Sequence, residues 1–279
     1  MMIPAYAKLN WFLKIQGRRP DGYHDLVMIN QRIDLHDDVH LAHDAQISLQ
    51  MDGAESSEIS GNLAELAARR LAVDSGYSAG ARIRLVKRIP IGAGLGGGSA
   101  DAAAVLRGLN QLWGLGLGME TLSQIGLSLG ADVPYCLQEQ PALVSGIGDI
   151  VQPVAPFPAH WLVLLKPEQG LSTRDVFSRT QQSDLPPRKD HHKALKALQA
   201  GDIVALREHT ANDLQPAALD LLPQIGELLG LLNEHGALFS QMSGAGSCVY
   251  GVFSDEDAAR SAHENLKNRH FSRFICRTI

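Results

Sequence analysis

The chain of 279 residues has only three cysteines, Cys136, Cys248 and Cys276. They are too few and too widely spaced for a disulfide framework or a zinc site, which indicates a reducing compartment. A basic surplus is also missing, because the net charge is −5. Proteins that bind nucleic acids usually carry such a surplus, so nucleic acid is not the expected partner.

Long apolar runs are absent as well. No segment approaches the roughly 20 apolar residues that a membrane-spanning helix needs. The N-terminus lacks the basic and apolar regions of a secretory signal, so we expect a cytoplasmic protein with no membrane partner. Hydrophobic residues make up 45% of the chain, enough for a core, and the length predicts two domains or one large one.

The order of predicted elements favours two α+β units. Strands are predicted at residues 5–15, 24–35, 47–51, 81–89, 134–138, 142–145, 150–154, 161–165, 237–241, 247–253 and 273–277. Helices are predicted at 63–71, 99–112, 119–129, 173–181, 191–199, 202–210, 216–234 and 255–267. Three prolines within residues 153–160 predict a domain crossover, which divides the chain into domains 1–156 and 157–279.

Glycine is more frequent than usual, with 27 residues, and five of them occupy the seven positions from Gly92 to Gly98. This run lies between a predicted strand and a predicted helix. Glycine has no Cβ, so backbone N–H groups can approach a ligand closely, and the helix start adds unpaired N–H groups. The pattern predicts a polyphosphate site, with Ser99 capping the helix and contacting a phosphate or its Mg²⁺.

Two common phosphate loops fit the glycine run poorly. A Walker A loop needs lysine where this chain has Gly98. A dinucleotide-binding pattern does match Gly92, Gly94 and Gly97, but its preceding strand should be continuously apolar, and residues 81–89 carry four basic side chains. A dinucleotide-binding or nucleotide-sensing module therefore stays as the weaker alternative.

The segment from Pro90 to Ala100 resembles the second motif of the GHMP kinases, which phosphorylate small alcohols with ATP. Three further blocks are similar to one branch of that family, whose substrate carries a cytidine diphosphate. They are Ala7–Asn10 with Asp21–His24, Gly130–Pro134, and Ser243–Ser247. Together the blocks span residues 7 to 247, nearly the whole chain, and their combination is more specific than any one alone.

The resemblance implies a two-domain fold and an ATP-dependent kinase that uses Mg²⁺. The N-terminal domain would be an α/β domain like ribosomal protein S5, the C-terminal domain would be ferredoxin-like, and the active site would lie in the cleft between them. The implied pathway is non-mevalonate isoprenoid synthesis. A GHMP-type kinase of homoserine, mevalonate or a sugar is the alternative. The sequence leaves monomer and homodimer equally open.

The catalytic pair implied by the resemblance is Lys8 and Asp132. Asp132 would orient or deprotonate the acceptor hydroxyl, and Lys8 would hold the carboxylate in its charged form and offset charge on the transferred group. Asp132 precedes Val133 and Pro134, so we expect it in extended backbone at the start of a strand. Lys8 and Asn10 share one face of the alternating first strand.

The implied binding residues form two sets. For ATP they are Asn62, Pro90, Ile91, Gly92, Ala93, Gly94, Leu95, Gly96, Gly97, Gly98, Ser99 and Ala100. For the substrate they are Asn10, Tyr23, His24, Thr173, Phe177, Gly244 and Ala245. From the residues alone, Tyr23 and His24 equally suit a turn, Phe177 a core, and Asn62 a helix N-cap whose capping box Glu65 completes. Asn30 departs from the family, because an aromatic residue often encloses the cytosine there, and Asp101 adds negative charge beside the loop.

Overall fold

The first sheet gathers the six strands of the N-terminal half in a computed structural model that describes residues 1–52, 61–180, 189–267 and 270–279. The strands are β1 (Met2–Arg18), β2 (His24–Asp44), β3 (Ser48–Asp52), β4 (Gly80–Val86), β5 (Ala142–Gly146) and β6 (Ile150–Pro153). Their order is β3-β4-β2-β5-β6, and β1 pairs with β2 in antiparallel register. The long β2 therefore organises the sheet, because β1, β4 and β5 all hydrogen-bond to it.

Four helices accompany this sheet: α1 (Leu63–Ser75), α2 (Gly97–Leu112), α3 (Met119–Leu129) and α4 (Val133–Cys136). Helix α2 is buried along most of its length, and small residues let it lie close to the strands. A Cβ on Gly108 would lie 2.3 Å from Leu41 Cδ1 and 2.6 Å from Ile3 Cδ1. This close approach packs the C-terminal half of α2 against β1 and β2.

The second sheet contains β7 (Trp161–Pro167), β8 (Phe239–Met242), β9 (Val249–Phe253) and β10 (Phe271–Arg277). All neighbours are antiparallel, in the order β10-β7-β9-β8. The accompanying helices are α5 (Thr173–Arg179), α6 (His191–Ala200), α7 (Ile203–His209), α8 (Gln215–Leu221), α9 (Gln224–Glu234) and α10 (Glu256–Asn265). Across the described ranges, no helix is both long and apolar enough to cross a membrane.

Strand β1 joins the two sheets. Its Trp11 packs edge-on against Tyr250 of β9, with ring centroids 5.6 Å apart, inside a core cluster drawn from both sheets. The backbone N–H of Leu13 donates to Ala211 O at 2.8 Å, and that of Asp213 donates to Leu13 O at 3.0 Å. The functional side chains of β1 therefore face residues from both halves of the chain.

Lys8 and Asn10 share one face of β1 as predicted, but the pairing with β2 is irregular between Tyr6 and Lys8 and again between Asn10 and Phe12. A bulge between the pairs Asn10–Asn30 and Phe12–Ile29 makes Trp11 an extra residue, so Phe12 joins the cluster that contains Trp11. The predicted boundary at residues 156 and 157 stays a prediction, and it falls between β6 and β7.

Five local predictions are wrong. The strand expected at 134–138 is the short helix α4, and Asp132 is not extended but α-helical at its N-cap, with φ −82° and ψ −14°. Pro134 lies in the first turn, where its missing N–H costs nothing. Pro223 likewise divides the helix expected at 216–234 into α8 and α9. The two remaining errors concern helix caps.

Gly96 is the N-cap of α2, and the predicted cap, Ser99, lies within the first turn of the helix. Glu65 accepts hydrogen bonds from Arg69, so it does not complete the predicted capping box at the start of α1.

Candidate active site

The glycine run forms a loop that ends at the start of α2. Gly92, Gly94 and Gly96 have φ values of 64°, 72° and 67°, in the left-handed region that residues with a Cβ rarely adopt. Gly96 caps α2 with its backbone and no side-chain hydrogen bond, and Gly98 in the first turn is exposed. The positive end of a 16-residue helix is therefore open to an anion, as the phosphate-loop prediction requires.

The turn Ser243–Cys248 between β8 and β9 packs directly on this loop. Ser243 Oγ donates to Gly94 O at 3.2 Å, and the backbone N–H groups of Ser247 and Cys248 donate to Gly92 O and Ala93 O, each at 3.2 Å. A Cβ on Gly94 would lie only 2.1 Å from Ser243 O. The two glycine motifs, more than 140 residues apart in sequence, thus form one continuous surface.

Lys8 and Asp132 meet beside the loop. Lys8 Nζ lies 3.4 Å from Asp132 Oδ2, and the Lys8 side chain is 4% exposed whereas that of Asp132 is 34% exposed. The aliphatic stem of Lys8 packs over Gly96, whose Cβ would lie 2.9 Å from Lys8 Cγ. A buried ammonium thus faces an accessible carboxylate beside the predicted anion site, an arrangement suited to orienting a hydroxyl beside a charged phosphoryl group.

Asn10 hydrogen-bonds to the Lys8 ammonium from the buried side of the site. Lys8 Nζ donates to Asn10 Oδ1 at 2.7 Å, and Asn10 Nδ2 donates to Asn30 Oδ1 at 2.6 Å. Both asparagines are fully buried. Asn30 therefore faces Asn10, which in turn contacts Lys8.

A buried ion cluster holds both sides of the glycine loop. Lys87, just before the loop, lies 2.5 Å from Asp37 Oδ2 and 2.7 Å from Asp101 Oδ2 of α2. Asp37 also accepts hydrogen bonds from the backbone N–H groups of Arg88 and Ile89. Burial raises the pKa of Asp101 to about 7, although Lys87 opposes the shift. The negative charge of Asp101 therefore pairs with Lys87 and links α2 to the residue that precedes the glycine loop.

The residues expected at the cytosine end form a small aromatic group. The His24 and Phe177 rings stack with centroids 5.2 Å apart and planes 24° apart. Tyr23 is 61% exposed, and Thr173 is exposed one helical turn before Phe177. Burial, aided by the positive charge of Arg18, lowers the pKa of His24. Because the two rings are in contact, a base would stack on an outer face of the pair.

Three other predicted binding residues occupy different surroundings. Asn62 is the N-cap of α1, and its Oδ1 accepts from Ala64 N at 2.9 Å. The next residue, Leu63, lies 3.5 Å from the Cβ position of Gly98, so this cap is close to the loop. Gly244 and Ala245 are buried against the glycine loop, and their contact with a substrate diphosphate stays a prediction.

The residues that the sequence missed are Lys87 and Asn30. One signal for Lys87 was available: alternation from the exposed Arg82 and Arg84 puts position 87 on the buried face of the strand. No comparable signal exists for Asn30, because its contact with Asn10 depends on the register in which β1 and β2 pair.

Comparisons with known proteins agree with this geometry. Residues 62–140 match the family described as GHMP kinases N terminal domain, and residues 194–273 match that described as GHMP kinases C terminal, together more than half of the chain. The 4-diphosphocytidyl-2-C-methyl-D-erythritol kinase of Geobacter sp. (strain M21) is 40% identical over 284 residues, covering 100% of this chain and 99% of that protein. The chain belongs to the GHMP kinase family and, within it, to the family of these diphosphocytidyl-methylerythritol kinases.

Solved structures confirm the predicted two-domain GHMP kinase fold. A crystal structure of 4-(cytidine 5'-diphospho)-2C-methyl-D-erythritol kinase superimposes with a TM-score of 0.85 at 32% identity, covering 100% of this chain and 99% of that one. Homoserine kinase from Cytophaga hutchinsonii superimposes with a TM-score of 0.72 over 100% of this chain and 94% of that one. Its identity of 19% supports only a shared fold.

Proposed function

We propose that this chain uses ATP to phosphorylate the 2-hydroxyl of 4-diphosphocytidyl-2-C-methyl-D-erythritol, a step in non-mevalonate isoprenoid precursor synthesis. The observation that carries the proposal is the Lys8–Asp132 pair, 3.4 Å apart beside the glycine loop. Its relatives' names agree with this activity, since the Geobacter protein and the crystal structure both carry the name of this kinase.

The glycine loop and the start of α2 would hold the ATP phosphates through backbone N–H groups. Asn62, at the cap of α1, would lie toward the adenosine. In the part of the chain that the structure describes, no group of three or more His, Cys, Asp or Glu residues is arranged to hold a metal ion. Mg²⁺ would therefore be held mainly by the ATP phosphates, with the Ser99 hydroxyl as the protein ligand, and would supply neutralisation of phosphate charge.

Asp132 would orient the acceptor hydroxyl for in-line attack and accept its proton as the bond to phosphorus forms. The loose transition state of phosphoryl transfer demands positioning and charge stabilisation more than early proton removal. Lys8 supplies the positive charge: Asn10 and Asp132 take two directions around its ammonium, which leaves a third for a phosphoryl oxygen.

The substrate's cytosine would stack on the His24–Phe177 pair, with Tyr23 and Thr173 at its edge. Stacking of a base on an aromatic ring is worth about 1–3 kcal/mol. Asn10 would act on the substrate through Lys8, because its own side chain is fully buried. The turn at Gly244 and Ala245 would contribute backbone dipoles toward the diphosphate.

The composition of the chain and the burial of its cysteines support a small-molecule substrate and a cytoplasmic location. A net charge of −5 supports a small-molecule substrate over a nucleic acid. All three cysteines are free and buried, which supports a reducing compartment, the cytoplasm.

The experiment is ADP release measured with a panel of alcohols: the diphosphocytidyl substrate, homoserine, mevalonate and a hexose. We expect turnover with the diphosphocytidyl substrate and little with the others. Turnover with homoserine or mevalonate, and none with the diphosphocytidyl substrate, would assign the chain to another branch of the GHMP kinases.

A further inference from the structure

The side chains of Asp132, Lys8, Asn10 and Asn30 form one line from the mouth of the site into the sheet. The successive distances are 3.4 Å from Asp132 Oδ2 to Lys8 Nζ, 2.7 Å from Lys8 Nζ to Asn10 Oδ1, and 2.6 Å from Asn10 Nδ2 to Asn30 Oδ1. Asn10 and Asn30 are direct cross-strand partners on β1 and β2. The last member, Asn30, has no role assigned in the proposed reaction so far.

The chemistry of the donors fixes the direction of every hydrogen bond in this line. A lysine ammonium only donates, so Asn10 must present its oxygen to Lys8. The amide nitrogen of Asn10 then points to Asn30, which must accept through its own oxygen. Asn30 Nδ2 takes no part in these hydrogen bonds, and within the described residues it is buried without a hydrogen-bond partner.

Asn30 combines an amide nitrogen without a partner with an oxygen that accepts from Asn10. A buried donor without a partner is unfavourable. The oxygen of Asn30, in contrast, has a defined effect. If it were absent, Asn10 Nδ2 would keep only Met28 Sδ, a weak acceptor 3.6 Å away, and rotation of the carboxamide by half a turn would direct its nitrogen at the Lys8 ammonium.

We infer that Asn30 is a positioning residue for phosphoryl transfer, which holds the Asn10 carboxamide in the orientation that presents its oxygen to Lys8. Asn30 acts on Lys8 and, through Lys8, on Asp132, and it does not itself contact the reacting atoms. The inference rests on the proposed function, because Lys8 and Asp132 are assigned there as the catalytic pair.

The test compares two replacements of similar size. Asn30→Leu removes the acceptor, and Asn30→Asp keeps an acceptor oxygen, since burial favours the neutral form of the new carboxyl group. Gln31→Leu is the matched control, because Gln31 is the next residue of β2, is equally buried, and accepts a hydrogen bond from Trp11 Nε1 at 2.8 Å away from the catalytic line.

We expect Asn30→Leu to lower kcat about tenfold or more, as loss of a charge-assisted hydrogen bond does, while KM for ATP stays within about twofold. Its melting temperature should stay close to that of the wild type, because the unpartnered Asn30 Nδ2 is gone while Asn10 Nδ2 loses its oxygen acceptor. Asn30→Asp should stay within about threefold of wild-type kcat, and Gln31→Leu within about twofold. A purely structural role would instead lower the melting temperature of Asn30→Leu.

Two results would overturn the inference: a kcat for Asn30→Leu within about twofold of the wild type, or equal losses in Asn30→Leu and Asn30→Asp. If Asn30→Leu does not fold, Asn30→Ala is judged by the same kcat and KM criteria. Failure of the proposed function is distinguishable, since the wild type itself would then release no ADP with the diphosphocytidyl substrate.

Discussion

Replacing Gly94 with alanine should separate the two glycine motifs. The new Cβ would lie 2.1 Å from Ser243 O, and Cβ contacts below 3.0 Å essentially never occur, so the loop and the turn must move apart by at least 0.9 Å. The backbone angle of +72° adds about 1–2 kcal/mol of strain, and the overlap adds about 1–3 kcal/mol. A misplacement near 1 Å is worth about 10²-fold in rate.

The assay is kcat/KM for ATP, measured together with the free energy of unfolding in urea. Gly114→Ala is the matched control, because Gly114 has nearly the same φ, +66°, and nothing within 4 Å of its Cβ position. We expect the control to lose about 1–2 kcal/mol of stability with unchanged kinetics. If Gly94→Ala has the same kcat/KM as Gly114→Ala, contact between the two motifs is not needed for catalysis.

Three further predictions concern the loop tether and the aromatic group. Lys87→Met should raise KM for ATP about tenfold, because two buried carboxylates lose their cation next to the phosphate site; an unchanged KM in steady-state assays would contradict this. The pKa of Asp101, raised by burial from 3.8 to about 7, means that the folded chain binds more protons than the unfolded chain in this window, so this group's contribution to stability falls as pH rises through it. Thermal unfolding across this pH range should therefore show a smaller decline for Asp101→Asn than for the wild type, and parallel curves would refute the assignment. Phe177→Ala should raise KM for the cytidine substrate about 5- to 100-fold, with KM for ATP unchanged, because one stacking interaction is lost; equal changes in both constants would show that Phe177 is a core residue.

The sequence was sufficient for the parts of the site that depend on local backbone chemistry. The glycine run predicted a loop before a helix start, and the structure has left-handed backbone at the alternate positions Gly92, Gly94 and Gly96, whereas phosphate binding there stays a prediction. The resemblance placed Lys8 near Asp132, and the structure puts their charged atoms 3.4 Å apart. The fold class followed from the order of strands and helices together with that resemblance.

Local rules failed where one residue was given too much weight. A residue near a proline favours extended backbone, but in the first turn of a helix proline needs no hydrogen-bond partner, so Asp132 lies at a helix start. This placement matters for the site, because the N-cap position leaves the carboxylate at the surface, facing Lys8.

Contacts between side chains on neighbouring strands could not be predicted from the sequence. Asn30 faces Asn10 only because β1 and β2 pair in one particular register, which includes bulges that alternation alone does not predict. The packing of the turn at residues 243–248 on the loop at 92–96 likewise depends on how the two sheets meet, and the sequence indicated only that both segments are rich in glycine.

The central claim is that Asp132, held by Lys8 beside the ATP phosphates, directs the acceptor hydroxyl. The most direct measurement is kcat for ADP release by Asp132→Ala with the diphosphocytidyl substrate, with Asp74→Ala as a control, since Asp74 pairs with Arg70 on the surface of α1. We predict that Asp132→Ala loses about 10²- to 10⁴-fold in kcat, the usual range for loss of an acid–base group, with KM for ATP little changed. A kcat close to that of Asp74→Ala would contradict the account.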